Sequence, residues 1–273
     1  MSEINLNDRV AIVTGASRGM GLVMAEAIVD AGGRAVLMSP ETDELIAATK
    51  AIAERVGGGR VRAAVADITD AGDCERTVRD ALDAFGALHI LVNNAALGQP
   101  HLKPGTDTTS FKFWEANREA WQQVIHVNVN GTFLMAHTAV PHMIAQGWGR
   151  IVNVTTSLRT IQRGGNSPYG PSKAAIEAET LIWADDLDGT GVTVNSLIPG
   201  GAVNTAFVPE NYRRSRQLVE PGIMGPPIVW LASQLADGKT AGRYVAKNWD
   251  VNIDPNAAAA KALEAPVFLR PPA

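Results

Sequence analysis

Short apolar runs alternate with longer amphipathic stretches along most of the chain. The runs are too short for helices and have the length of buried parallel strands, while the stretches between them have helical periodicity. This alternation predicts an α/β protein with a single doubly wound parallel sheet and helices on both faces. The predicted strands are residues 10–14, 34–38, 61–66, 88–92, 149–157 with the strand exit included, 192–198 and 241–245.

A glycine-rich turn follows the first predicted strand. Gly15, Gly19 and Gly21 lie between that strand and a helical stretch. In this arrangement backbone N–H groups and a helix N-terminus hold a pyrophosphate, although any strand-to-helix turn also favours glycine. The spacing is Gly-x-x-x-Gly-x-Gly and not the commoner Gly-x-Gly-x-x-Gly. The turn predicts a dinucleotide site beyond the carboxyl ends of the strands, where Asp67 and Asn94 also lie.

A tyrosine and a lysine lie four residues apart at the start of a predicted helix. Pro168 and Pro171 are tolerated at a helix start, and the spacing places Tyr169 and Lys173 on one helix face. An ammonium group lowers the pKa of a nearby phenol, which then donates or accepts a proton near neutral pH. By itself the pair is also compatible with a surface tyrosine and lysine without function.

Other segments depart from the strand and helix alternation. Residues 97–117 are polar and predict an inserted loop, a flap near the site, and residues 206–224 predict a mobile segment that covers the substrate. The predicted helix 118–146 contains two Asn and a Gly at 128–131, which indicate a kink or a polar function. One domain is expected over residues 1–250, followed by a C-terminal extension, 251–273, that docks on a neighbour or lies loose.

Composition and charge narrow the class of protein. The 273 residues carry a formal net charge of −4, which gives no reason to expect nucleic acid or an anionic membrane as partner. One cysteine, Cys74, excludes an internal disulfide framework, and the five histidines have no metal-ligand spacing. The N-terminal residues show no signal pattern, and no apolar run is long enough to span a membrane. We therefore expect a soluble cytoplasmic protein without a metal site.

Three motifs in order carry a resemblance to a known family. Thr14-Gly-x-x-x-Gly-x-Gly21, Asn93-Asn94-Ala95 and Tyr169-x-x-x-Lys173 resemble the short-chain dehydrogenase/reductase family of the classical type, over about residues 6 to 248. The resemblance implies a Rossmann-type fold and a nicotinamide cofactor. It also implies hydride transfer to or from a small-molecule carbonyl or secondary alcohol, and a homo-oligomer, a dimer or a tetramer.

The resemblance also implies roles for individual residues. Tyr169 is the implied acid, Lys173 lowers its pKa and holds the ribose, and Asn128 assists a proton relay through its helix kink. A hydroxyl ends the fifth strand in the family; strand register favours Thr156 here and residue type favours Ser157, of which we favour Thr156. The implied cofactor-binding residues are Gly15, Ser17, Arg18, Gly19, Met20, Gly21, Ser39, Asp67, Ile68, Asn94, Ala95, Ala96, Tyr169, Lys173, Pro199, Gly200 and Thr205.

The end of the second strand bears on the choice of cofactor. Folds that choose NAD usually place an acidic residue there, where it accepts from the ribose 2′-OH and repels a 2′-phosphate. Ser39 occupies that position, although Glu41 follows closely, and Arg18 lies where the family often reaches the 2′-phosphate. We therefore expect NADP to be preferred over NAD.

Two other functions remain open from the sequence. A nucleotide-binding sensor or scaffold of the same fold would keep the cofactor site with weak catalysis, and a lyase or epimerase would use the same Tyr–Lys pair. The substrate is not specified, since its pocket walls come from segments 97–117, 157–165 and 206–224. Arg159 and Arg163 are compatible with an anionic substrate but are more typical of a solvated loop.

Overall fold

One eight-stranded sheet organises the chain in the computed structural model, which describes residues 4–102, 112–208, 210–215 and 217–268. The strand order is β3-β2-β1-β4-β5-β6-β7-β8, and every pair is parallel except β7–β8. The order steps outward in both directions from β1 and β4, as a doubly wound sheet requires. The strands are β1 (Val10–Thr14), β2 (Arg34–Ser39), β3 (Val61–Val65), β4 (Ile90–Asn93), β5 (Gly149–Val154), β6 (Val192–Ile198), β7 (Arg243–Val245) and β8 (Leu263–Glu264).

Helices cover both faces of this sheet. The described helices are α1 (Gly19–Asp30), α2 (Thr42–Val56), α3 (Ala71–Phe85), α4 (Gln99–Leu102), α5 (Arg118–Ile125), α6 (Thr132–Gln146), α7 (Leu158–Ile161), α8 (Tyr169–Asp186), α9 (Glu210–Ser215), α10 (Gly225–Leu231) and α11 (Pro255–Ala262). Short 3₁₀ turns lie at Phe113–Glu115, Pro221–Met224, Gln234–Ala236 and Ala246–Asn248. None of the helices in the described residues is long and apolar enough to cross a membrane.

The two faces bury separate apolar clusters. Alternate residues of β1 supply both: Ala11 and Val13 pack on the side of α1, α2, α10 and α11, whereas Val10 and Ile12 pack on the side of α3, α6 and α8. The residues of β1, β4, β5 and β6 are all buried, as expected for strands covered on both faces. The predicted α/β fold with one doubly wound sheet is confirmed.

The long helix predicted from residue 118 is interrupted where the sequence indicates. A π-helical turn, His126–Gly131, separates α5 from α6. A Cβ at Gly131 would lie 2.8 Å from Cγ2 of Ile68, so the turn lies against the segment that follows β3. The expected kink is therefore real, and it lies against the carboxyl edge of the sheet.

Three segments contain more structure than we expected. The expected loop 97–117 contains α4 and a 3₁₀ turn, and its residues 103–111 lie outside the described part of the chain. The expected covering segment 206–224 contains α9 and a 3₁₀ turn, with residues 209 and 216 outside the description. We expected the C-terminal extension to dock on a neighbour or to lie loose. Instead, α11 packs its alanines into the core, and β8 pairs with β7; residues 269–273 are not described.

Candidate active site

The glycine turn is held against the end of β4 by one hydroxyl and one amide. Thr14 Oγ1 accepts hydrogen bonds from the backbone N–H groups of Asn94 and Ala95, each with an N···O distance of 3.0 Å. Asn94 Nδ2 donates to the carbonyl oxygens of Thr14, at 2.9 Å, and Gly15, at 3.1 Å. A Cβ at Gly21 would lie 2.3 Å from the Gly15 oxygen, so the turn closes only with glycine there.

The N-terminus of α1 opens beside this turn without a side-chain cap. Arg18 at the N-cap position makes no side-chain hydrogen bond to the helix, and no acidic residue lies in the first turn. Gly15 and Gly19 adopt φ of +62° and +63°, which bend the chain around the helix end. Uncapped N–H groups and the positive end of the helix dipole together favour an anion such as a pyrophosphate.

The segment after β6 approaches the same turn. A Cβ at Gly19 would lie 3.4 Å from Cγ2 of Thr205, so Thr205 lies next to the open helix end. Pro199 is buried directly after β6, and Gly200 takes φ of +86° to turn the chain. Thr205 is therefore the residue of this segment that the structure brings to the glycine turn.

Further residues from the predicted cofactor set lie at the neighbouring strand ends. Asp67 is exposed after β3. Its Oδ1 accepts hydrogen bonds from the backbone N–H and the hydroxyl of Thr69, each with a donor–acceptor distance of 2.8 Å. Ile68 is buried against Gly131, and Ala96 is half-buried after β4. Met20 is half-buried in α1.

Two carboxylates, those of Glu41 and Glu44, lie near the end of β2, although the last residue of the strand, Ser39, is neutral. The Ser39 hydroxyl contacts both Ser17 Oγ, over 3.2 Å, and the carboxylate of Glu41. Arg18 pairs with Glu44 and, over 3.7 Å, with Glu41. The charge of Arg18 is therefore shared with two carboxylates, both on or beside the start of α2.

Three successive hydroxyls after β5 have three different partners. Thr155 is buried and donates to Glu177 of α8. The Thr156 side chain acts to lower the pKa of the Tyr169 phenol. Ser157 caps α7 by accepting from the backbone N–H of Thr160 over 3.3 Å. Only Thr156 of these three, within the described contacts, acts on Tyr169.

Tyr169 lies at the first turn of α8 under an aromatic side chain. Its ring lies 5.6 Å from that of Phe207, at an angle of 53°. A Cβ at Gly98 would lie 2.4 Å from Cζ of Phe207, so Phe207 bridges the segment after β4 and Tyr169. Burial raises the pKa of Tyr169 to about 12, with Thr156 acting in the opposite direction.

The effect of Lys173 on the pKa of Tyr169 stays a prediction, and the described contact of the lysine ammonium group is with the end of β5. Lys173 is 4% exposed, and its Nζ donates to the Val154 carbonyl at the end of β5 over 2.9 Å. Burial lowers the pKa of Lys173 to about 8, and the nearby Glu177 carboxylate raises it. The ammonium group is thus directed at the strand end, and burial is the largest influence on the pKa of Tyr169.

Asn128 lies at the kink and is fully buried. Its Nδ2 donates to Leu97 O, at 3.0 Å, and to Ser172 Oγ, at 2.9 Å, while its Oδ1 accepts from Leu97 N over 2.7 Å. The side chain therefore joins the chain after β4 to α8. Since Ser172 precedes Lys173, Asn128 fixes the helix turn that carries the lysine.

A model of the family described as short chain dehydrogenase matches residues 9–215, which include the glycine turn, Asn128 and the Tyr–Lys pair. The chain belongs to the short-chain dehydrogenases. A relative from Picea abies, named a short-chain type dehydrogenase/reductase, is 33% identical over 227 residues, 81% of this chain and 80% of its own. A 2-(R)-hydroxypropyl-CoM dehydrogenase of Xanthobacter autotrophicus is 38% identical over 196 residues, 70% of this chain and 74% of its own.

A solved structure has the same fold as this short-chain dehydrogenase. A crystal structure from Sinorhizobium meliloti 1021, assigned to the short-chain alcohol dehydrogenases, superposes with a TM-score of 0.78 at 26% identity. The match covers 90% of this chain and 97% of the other. The predicted family is therefore confirmed, and with it an oxidoreductase that uses a nicotinamide cofactor.

The cleft of this short-chain dehydrogenase fits such a cofactor. The uncapped end of α1 suits the pyrophosphate, and the carboxyl edge of the sheet leads from there to Tyr169. Among the described residues, no group of three His, Cys, Asp or Glu side chains is arranged to hold a metal ion.

Sequence reasoning did not single out several residues around this site. Phe207 packs on Tyr169, Arg243 donates to the carbonyl of Thr156, and Glu177 pairs with Arg243. Glu177 had a readable signal, because it follows Lys173 by four residues on the same helix face. Phe207 and Arg243 reach the site from distant parts of the chain and had no local signal.

Proposed function

We propose that the protein transfers a hydride between NADP or NAD and a small carbonyl or secondary alcohol by a Tyr–Lys–Thr–Asn mechanism. The observation that carries this proposal is that Lys173, one helical turn after Tyr169, donates to the Val154 carbonyl at the end of β5, so the start of α8 lies against the strand exit that carries Thr156. In this arrangement Tyr169 and Thr156 would offer two hydroxyls to one substrate oxygen. That oxygen receives a proton from one and a hydrogen bond from the other.

The bound nicotinamide supplies or accepts the hydride at the substrate carbon. In the reductive direction Tyr169 donates its proton to the substrate oxygen. A pKa of about 12 keeps the phenol protonated at neutral pH, which is the state that a proton donor needs. Thr156 donates a hydrogen bond to the same oxygen and so stabilises the charge that develops there.

Lys173 and Asn128 have supporting roles in this chemistry. With a pKa of about 8, Lys173 is mainly protonated at pH 7 and offers donors for ribose hydroxyls and for the phenolate that Tyr169 leaves. Asn128 holds Ser172 and thereby the turn that carries Lys173. Phe207 covers Tyr169 and limits the access of water, which strengthens the electrostatic interactions beneath it.

Substrate-dependent consumption of reduced cofactor tests the proposal. We expect a panel of ketones, including the ketones of small 2-hydroxyalkyl compounds, to oxidise NADPH or NADH. The name of the Xanthobacter relative supports this choice of panel, because it specifies a 2-hydroxypropyl group. Tyr169→Phe should abolish turnover and leave cofactor affinity within a few fold of the wild type, since the phenol oxygen is the proton donor.

Tyr244→Phe is the matched control, because Tyr244 is a buried tyrosine that packs on Trp230 at the other side of the core. It should keep its turnover. Substantial activity in Tyr169→Phe would contradict the proposed acid. Cofactor binding by the wild type without turnover of any substrate would indicate a sensor or scaffold, and turnover without net cofactor consumption would indicate a lyase or epimerase.

We propose NADP as the preferred cofactor, a homo-oligomer (a dimer or a homotetramer) as the assembly, and the cytoplasm as the location. The half-exposed Arg18 beside the neutral Ser39 supports the first. Exposed apolar side chains on α6 and α8 support the second. The low cysteine content is the support for the third.

A further inference from the structure

A buried ion pair lies behind the site and has no part in the chemistry above. Glu177 of α8 and Arg243 of β7 are each 4% exposed, and Arg243 Nε donates to Glu177 Oε1 over 3.2 Å. Apolar residues in place of such a pair are often neutral or stabilising, because burying two charges is costly. Stability alone therefore does not explain the pair.

The arginine end of the pair reaches the proposed hydrogen-bond donor. Arg243 Nη2 donates to the backbone carbonyl of Thr156 over 3.0 Å, and Nη1 donates to Glu264 Oε2 over 2.7 Å. The planar guanidinium thus has three acceptors in fixed directions. One of them is the peptide group that sets the position of Thr156 relative to Tyr169.

The glutamate end of the pair lies one helical turn after Lys173. Glu177 accepts from Thr155 Oγ1 and, over 3.3 Å, from Ser196 Oγ, so its oxygens are hydrogen-bonded on several sides. An ionised carboxylate in this place favours the charged form of a neighbouring lysine. Without it, a lysine that is 4% exposed would lose its proton more easily.

We propose, on the basis of the proposed function, that Glu177 and Arg243 are positioning residues: Glu177 is the buried negative charge one helical turn from Lys173 that keeps its amine in the ammonium form, and Arg243 holds the peptide group of Thr156 beside Tyr169. Glu264 of β8 accepts from a second N–H donor of Arg243. The C-terminal strand thereby becomes part of the support of the site, although it lies at the far edge of the sheet.

Few ionisable groups face Lys173 from the elements around it. Tyr169 and Glu177 lie on α8 itself, β5 presents the Val154 carbonyl, and β7 presents Arg243 through Glu177. The π-helical turn presents the neutral Asn128 through Ser172. In the described part of the chain, Glu177 is the carboxylate that acts on this lysine.

Glu177→Gln tests the lysine side of the proposal. Glutamine keeps the shape and the acceptor oxygen, and Arg243 keeps Glu264, so the variant should fold. The pKa of Lys173 should fall, measured by NMR titration of lysine labelled with ¹³C at Cε in the cofactor-free protein. The alkaline limb of the kcat/KM profile should move to lower pH by about one unit.

Glu179→Gln, a carboxylate of α8 without a resolved contact to the pair, is the matched control and should leave both readouts unchanged. Glu264→Gln removes a half-exposed charge farther away and should move the lysine titration in the same direction by less. If Glu177→Gln fails to fold, Glu264→Gln carries the test. An unshifted Lys173 in every folded variant would overturn the proposal.

Arg243→Lys tests the threonine side. Lysine keeps the charge but not the three fixed donors, so kcat should fall about tenfold while cofactor affinity and the alkaline limb stay the same. Arg150→Lys, at another buried arginine, the second residue of the interior strand β5, should keep the wild-type kcat. A kcat in Arg243→Lys equal to that of the wild type would overturn the proposed role of Arg243. If the Lys173 pKa falls in Glu177→Gln but the wild type turns over no substrate, the result would support the role of the pair and contradict the proposed function.

Discussion

Two competing interactions of Arg18 bear on the choice of cofactor. Its place in the glycine turn favours a 2′-phosphate, yet Glu41 and Glu44 already pair with it. These pairs are about half exposed, and such pairs contribute at most about 1 kcal/mol. A phosphate carrying two charges and several acceptor oxygens gains more from a guanidinium, about 1.5–3 kcal/mol per charged hydrogen bond. The phosphate should therefore displace the glutamates.

We accordingly expect kcat/KM to be higher with NADP than with NAD, and Arg18→Ala to lower the NADP value selectively by at least about tenfold. Glu41→Gln should raise the preference for NADP, because it removes a competing and repelling charge. Arg55→Ala, which breaks an exposed ion pair with Asp30, is the control and should change neither value. A preference for NAD, or an equal loss with both cofactors in Arg18→Ala, would refute the preference.

At the scale of elements, the exit of β5 decides which hydroxyl acts on the substrate. Thr156→Val should lower kcat by roughly 10²–10³, the cost of losing one donor to a developing oxyanion. Ser157→Ala should have a smaller effect on kcat and lower the thermal midpoint, because it removes the cap of α7, worth about 1 kcal/mol. Steady-state kinetics and thermal unfolding of both variants decide the matter. The opposite ranking would transfer the role to Ser157.

The same strand exit shows how far the sequence alone reaches. Strand periodicity placed β5 and made Thr156 the better candidate, but the partners of the three hydroxyls depend on α7 and α8, which pack from outside the strand. The glycine turn and the π-helical kink were also readable, because glycines and two asparagines in short runs are local signals. Arg243 and Glu177 are 66 residues apart and meet only through the fold, so no local pattern reveals their pairing.

The C-terminal extension was beyond sequence reasoning for a related reason. The strand β8 has two residues and forms only because β7 offers an unpaired edge. An alanine-rich helix such as α11 has little amphipathic pattern, yet its small side chains pack closely on the core. Short elements of this kind form only against an existing edge or groove, so their own sequence does not predict them.

At the scale of the whole molecule, the placement of apolar surface bears on association. The edge of β7 is covered by β8, so the sheet has little free edge on that side for a second subunit. By contrast, α6 and α8 pack on the same face of the sheet and expose Phe133, Ile144 and Ile182, at 49%, 43% and 53%. This helix face is the better candidate for the interface of a dimer, and for one of the interfaces of a tetramer.

We therefore expect light scattering at micromolar concentration to give the mass of a dimer or a tetramer. Phe133→Asp combined with Ile182→Asp should lower that mass toward the monomer and keep the far-ultraviolet circular dichroism, because both side chains are half exposed in the subunit and a charge there is costly only when it is buried between subunits. Ile46→Asp, 52% exposed on α2 at the other face, is the control and should keep the wild-type mass. A monomeric wild type would end the proposal of association, and an unchanged mass in the double variant would move the interface away from this helix face.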